Sequence, residues 1–178
     1  MRVPVLIVCW LLAGLASAAA QTPTVADKGA VVTGITITNT GTYTGASSSA
    51  PARAGQQSPT KTVGTNSNWE FVSDGTDVDG KVGTQFGIEF RIDGTPSGDS
   101  VTLYLVLNFP PPGLHNPNTG DTFHTAKIAF PNVKIGARTV IGYGFDNPWE
   151  IVPGAWTEQL WYKNQMLAER MFTVSKPE

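Results

Sequence analysis

The sequence predicts an all-β fold, an antiparallel sandwich of about seven or eight strands, behind a cleavable N-terminal signal peptide. Three observations carry this. Apolar residues alternate with polar ones in several segments of five to eleven residues. Clusters of Gly, Pro, Asp and Asn punctuate them at the spacing of strand-to-strand turns. No segment sustains an apolar period of 3.6 residues with caps.

The opening of the chain sets its address. Met1-Arg2 is basic, Val3 to Leu15 is uncharged, and Ala16-Ser17-Ala18-Ala19-Ala20 is small. This is the layout of a secretory signal, with an apolar run too short to serve comfortably as a membrane span. Residues 1–20 are therefore read as the signal peptide and 21–178 as one domain, with cleavage leaving Ala19 or Gln21 first. Cys9 is the single cysteine and lies in that signal, so the mature chain can hold no disulfide, thiolate zinc site or cysteine nucleophile. A domain of about 155 residues can bury roughly two-thirds of its unfolded surface and so hold together by its core alone.

Charge excludes one class of partner. Twelve Lys and Arg face 14 Asp and Glu, and losing Arg2 leaves 11 against 14. The basic residues are scattered singly, which argues against nucleic acid. The mature chain has no second long apolar run, so no membrane span is expected in it.

Val31 to Thr38 reads as the first strand, with Ile35 and Ile37 on one face. Thr44 to Thr62 is Gly, Ala, Ser, Pro and Gln with almost no bulky residue, the composition of a mobile low-complexity loop. Asn68 to Val72 is a short strand and Ser73 to Gly80 a turn cluster. In Val82 to Ile92, Phe86, Ile88, Phe90 and Ile92 share a face; in Val101 to Phe109, Val101, Leu103, Leu105, Leu107 and Phe109 do. Asp93 to Asp99 joins them as a hairpin with one strongly buried side. Pro110-Pro111-Pro112 stops the second strand because proline cannot donate to a ladder. Phe123 to Phe130 and Val133 to Phe145 are β-rich, and Trp156 to Tyr162 with Leu167 to Val174 forms the last hairpin. Within it, Trp156, Glu158, Leu160 and Tyr162 share a face. A carboxylate there needs either a partner such as Arg170 or an edge strand that lets Glu158 reach water; the edge strand is the simpler expectation.

The stretch from Gly142 through Asp146-Asn147-Pro148-Trp149-Glu150 to Trp156, continued by Leu160-Trp161-Tyr162, Leu167-Ala168-Glu169 and Phe172-Thr173-Val174, is distinctive. With Gly83-Thr84-Gln85-Phe86-Gly87-Ile88 and the Pro-Pro-Gly loop, it resembles a bacterial exported family of unknown function. That resemblance implies an envelope or extracellular location and no established activity. The Gly-x-Trp strand and closing Phe-x-Val strand also resemble the last hairpin of immunoglobulin-like sandwiches, which bears on fold alone.

Chemistry-bearing residues are sparse. His115 and His124 have no third metal ligand beside them and no Gly-x-Ser-x-Gly elbow, so no catalytic residue is assigned. Asp74, Asp77 and Asp79 make a weak calcium candidate, since the spacing departs from Asp-x-Asp-x-Asp-Gly and Asp-Gly pairs are ordinary turn residues. Asp146 and Glu150 could be posed as the carboxylate pair of a small hydrolase, although so small a domain offers little material for a cleft. No cofactor is expected. The loop Phe145 to Gly154 carries Asp146, Asn147, Trp149 and Glu150 between two prolines, which fits either a restrained recognition loop or a structural corner. Trp161 has the parity of an outer-face residue. The expected function is an exported, non-catalytic binding or assembly module of the cell envelope, soluble in periplasm or medium, with a protein or glycan partner. The alternative is a carbohydrate-binding module using Trp149 and Trp161, with a small hydrolase third.

Overall fold

The computed structural model describes residues 29–176, so the signal-peptide reading lies outside the described residues. In chain order the strands are β1 Val31–Pro51, β2 Thr62–Asp74, β3 Asp77–Val78, β4 Gln85–Thr95, β5 Ser100–Asn108, β6 Leu114–His115, β7 Thr122–Phe123, β8 Thr125–Lys134, β9 Thr139–Gly144, β10 Gly154–Tyr162 and β11 Gln165–Val174. One 3-10 turn, Pro148–Glu150, precedes β10. The first sheet has the order β2-β1-β4-β9, the second β3-β11-β10-β5-β8, and β6-β7 is a separate hairpin of two two-residue strands.

The period-two pattern explains the layers. Phe86, Ile88, Phe90 and Ile92 of β4 and Val101, Leu103, Leu105 and Leu107 of β5 are all nearly or fully buried between the sheets. Each contributes about 1.5–3 kcal/mol of apolar burial. One end of this core is aromatic. The Trp156 ring lies 4.8 Å from Phe109, 5.2 Å from Tyr143, 5.6 Å from Phe145 and 5.8 Å from Phe86, mostly in edge-to-face contact. Its Nε1 donates to Val152 O at 2.8 Å, so the indole is satisfied in the core position its parity predicts.

Thr44 to Thr62 is not a loop throughout. β1 continues to Pro51 and β2 begins at Thr62, pairing from Thr44–Glu70 to Pro51–Thr62. This outer hairpin, the arm, has no apolar face; its backbone ladder is satisfied strand to strand while its small side chains stay mostly exposed. Hydrogen bonding rather than core burial therefore defines it, and composition could not reveal that. Only residues 52–61 form a connection, and these dock on the opposite sheet. Gln57 N donates to Lys127 O at 3.0 Å, and Lys127 N to Gln57 O at 3.1 Å. Gln56 Nε2 donates to Ala129 O at 3.0 Å, and Asn116 Nδ2 to Pro59 O at 2.8 Å. The arm leaves the first sheet beyond Tyr43 and its tip covers the edge of β8 in the second.

Three further expectations are corrected. Val133 to Phe145 is two elements, because the chain ends β8 at Lys134, turns at Gly136 and opens β9 at Thr139. The turn cluster after β2 contains β3, which pairs in parallel with Thr173 and Val174. Glu158 does not reach water at an edge: β10 lies between β11 and β5, and Glu158 is only 3% exposed. Arg170 stands opposite it in register, yet its side chain is exposed and donates to Glu169 O.

A candidate cleft beneath the arm

The Phe145 to Gly154 segment is organised around a buried acid. Glu150 is fully buried on the 3-10 turn. Its Oε2 accepts from Tyr143 Oη at 2.6 Å, and its Oε1 from Asn147 N at 2.8 Å and Asn147 Nδ2 at 2.7 Å. Burial pushes the Glu150 carboxyl up while these bonds pull it down. Burial and the nearby Glu150 charge also raise the Tyr143 phenol well above its usual range. Trp149 is half-buried against the core cluster, and Asp146 alone of the four is exposed. The segment thus has the contacts of a braced corner: Asn147 and Glu150 bond to each other, and Asp146 remains at the rim.

That rim borders a cleft of about 300 Å³, at the small end of ligand-pocket volumes. The inner face of the arm, from Ser47 to Asn66, forms one wall; Gly142 to Asp146 forms another; Ile128 and Phe130 of β8 reach in from the second sheet. Tyr43 stands at the root of the arm, its hydroxyl accepting from Asn66 Nδ2 at 3.1 Å. No Lys or Arg lines the cleft, and its charged lining residues are Asp146 and Glu150. Gly87 and Gly142 face each other across β4 and β9, where a Cβ on either would collide with the opposite backbone, so the two strands pack unusually close behind this wall. Sequence reasoning missed Tyr43, Asn66, Gln85, Gly142 and Gly144: strand pairing across the first sheet sets Tyr43, Gln85 and Gly144 side by side, and the arm that carries Asn66 to the cleft has no apolar pattern.

The other sequence candidates lie elsewhere. Trp161 is half-buried in the outward row of β10 and donates to Gln159 Oε1 at 3.1 Å. The described residues contain no group of three or more His, Cys, Asp or Glu side chains placed to hold a metal, Asp74, Asp77 and Asp79 included. His115 and His124 are exposed; His115 Nδ1 lies 3.1 Å from Thr122 Oγ1. A third buried acid sits on the outer side of the first sheet. Glu89 accepts from Thr38 Oγ1 at 2.6 Å, Trp69 Nε1 at 3.0 Å and Arg138 Nε at 2.6 Å. The Arg138 guanidinium, also 5.7 Å from the Trp69 ring, holds the Glu89 carboxyl down at about 2. Among the described residues no helix is long and apolar enough to cross a membrane.

Comparison with known proteins places these features in a family context. The family described as "Domain of unknown function (DUF3859)" matches residues 32–174. Among solved structures, an immunoglobulin-like protein from Pseudomonas aeruginosa is similar at a TM-score of 0.53 and 23% identity, covering 82% of this chain and 96% of that one. The likeness supports the immunoglobulin-like sandwich. Among curated proteins, none matches the chain.

Proposed function

The chain belongs to the DUF3859 family, and from that footing we propose that it is an exported, non-catalytic binding module of the cell envelope whose site is the cleft beneath the arm. The observation that supports this reading is the arm itself. The outer halves of β1 and β2 run on past the end of β4, and the connection between them anchors on β8, enclosing a hollow lined by both polar and apolar groups. Asp146 serves at its rim, and Asn147 and Glu150 act as positioning residues that fix the corner. Of the two carboxyl groups that could be posed as a hydrolytic pair, Glu150 is fully buried and held by Tyr143 and Asn147 in the corner, which favours binding over catalysis. The carbohydrate alternative through Trp149 and Trp161 is less well supported. Both indoles are half-buried, one against the core and one in the outward row of β10, so they do not build a shared platform.

The test fills the cleft. Ser47 is exposed, lines it and pairs with Asn66 across the arm. The purified protein and Ser47→Trp are compared on a random peptide library and a panel of neutral oligosaccharides. Ligands of the parent protein should weaken about tenfold or more in the variant at an unchanged melting temperature. Ligands bound equally by both proteins would remove the cleft from consideration.

A further inference from the structure

We infer that the occupant of this cleft is an extended polypeptide segment that adds as a strand to the free edge of β9. The inference rests on the binding-module reading and names its ligand class. β9 is the terminal strand of the first sheet, and among the described residues nothing pairs with its outer side. Its register on β4 fixes which groups are free. Phe145 N donates to Thr84 O at 3.0 Å, and Gln85 is opposite Gly144. By the alternation of an antiparallel ladder, Val140, Gly142 and Gly144 then turn their N–H and C=O groups away from β4. Two of these three, Gly142 and Gly144, line the cleft and carry no side chain that could obstruct an incoming strand.

The surroundings select among ligand chemistries. Unpaired backbone donors and acceptors in alternating order are matched by another peptide backbone. A sugar needs an open aromatic plane, and Tyr43, Tyr143 and Phe145 are buried at 3%, 9% and 0% exposure. Alternate side chains of an added strand would face Ile128 and Phe130, which suits apolar residues, and the arm hydroxyls and amides opposite suit polar ones. Asp146 at the rim, with no basic lining residue, favours a segment that lacks acids and carries Lys or Arg at one end. The neighbouring edge of β8 is already covered by the arm tip, so β9 is the edge this flank leaves open.

The experiment uses random linear nonapeptides displayed on phage, selected against the purified protein, then synthesised with backbone N-methyl groups placed one residue at a time. Methylation at alternate positions should lower affinity about tenfold or more, while the intervening positions should tolerate it, the signature of one strand edge engaged. Amide exchange at Val140, Gly142 and Gly144 should slow on binding. Gly144→Pro, which deletes one free donor at a solvent-facing edge position, should weaken the peptide at an unchanged melting temperature. Indifference to N-methylation, or unchanged exchange at these three amides, would overturn the inference, as would selection of no peptide. A neutral oligosaccharide bound by the parent protein and lost in Ser47→Trp would overturn the strand ligand while preserving the cleft. Peptides bound equally by parent and Ser47→Trp would sink both.

Discussion

Glu89 and Glu158 are both buried carboxyl groups within strands, one on each sheet. Glu89 is surrounded by donors, so its stabilising contribution is complete above the ordinary carboxyl value of 4.5 and is lost as pH falls through about 2. Glu89→Gln should lower stability by about 2 kcal/mol at pH 7, with the gap to the parent narrowing in urea melts taken at progressively lower pH. Glu158 has no hydrogen-bond partner on either oxygen, and burial raises it well above 4.5. Its sign is opposite: the folded state is favoured below 4.5, and that advantage is lost as pH rises towards the elevated value. Glu158→Leu should therefore raise the urea midpoint at pH 7, by about 1–4 kcal/mol in stability, and the gain should shrink towards pH 4. A gain independent of pH would mean that the carboxyl is hydrated or paired. Trp156→Ala should cost about 3–5 kcal/mol, because the indole anchors the aromatic end of the core; an unchanged urea midpoint would contradict its place there.

Among the elements, those that bury a face were legible and those held by hydrogen bonds alone were not. β4, β5, β10 and β11 announce themselves by apolar residues two apart, since their inward rows are mostly apolar, Glu158 of β10 being an exception. The outer half of β1 lacks that signature: Ser47, Ser48 and Ser49 face solvent or the cleft, and only pairing with β2 makes them a strand. Glu158 misled for a related reason, since a carboxyl on an otherwise apolar face reads as an edge strand, whereas the strand order puts β10 inside the sheet. The docking of the arm predicts its own weak point. Gln57→Pro removes the donor to Lys127 O and should cost about 0.5–1.5 kcal/mol, with faster amide exchange at Lys127, whose own acceptor is Gln57 O. Unaltered exchange at Lys127 would show that the tip does not hold the arm to β8.

At the scale of the molecule, the all-β sandwich was readable because turn clusters and alternating segments recur along the whole domain, and its immunoglobulin-like character from the resemblance of the last hairpin, whereas the cleft depends on contacts between residues far apart in sequence. Tyr43, Gln85 and Gly144 stand side by side through strand pairing across the first sheet, and Ile128 joins them from the second. The corner at Glu150 was legible as a composition, Asp146 to Glu150 between prolines, but its bonds to Tyr143 and Asn147 were not. One whole-molecule expectation concerns the segment outside the described residues. Protein recovered from periplasm or culture medium should begin at Ala19 or Gln21 by intact mass, and retention of Met1 there would remove the signal-peptide assignment.

The divided pairing of β1 also gives the fold a timetable. Pro51 meets Thr62, eleven positions on, whereas Ile35 meets Ile92, fifty-seven positions on. As the chain emerges from the ribosome or a translocation pore N-terminus first, the outer hairpin can close within about 1–10 μs of β2 becoming available. The inner half, with Ile35 and Ile37, must wait for β4. During that interval a short β-branched segment is bare. Each time the outer hairpin closes it about halves the naked strand the nascent chain exposes, but with no apolar face and its anchor on β8 still to come it closes only transiently until the residues up to Lys134 follow.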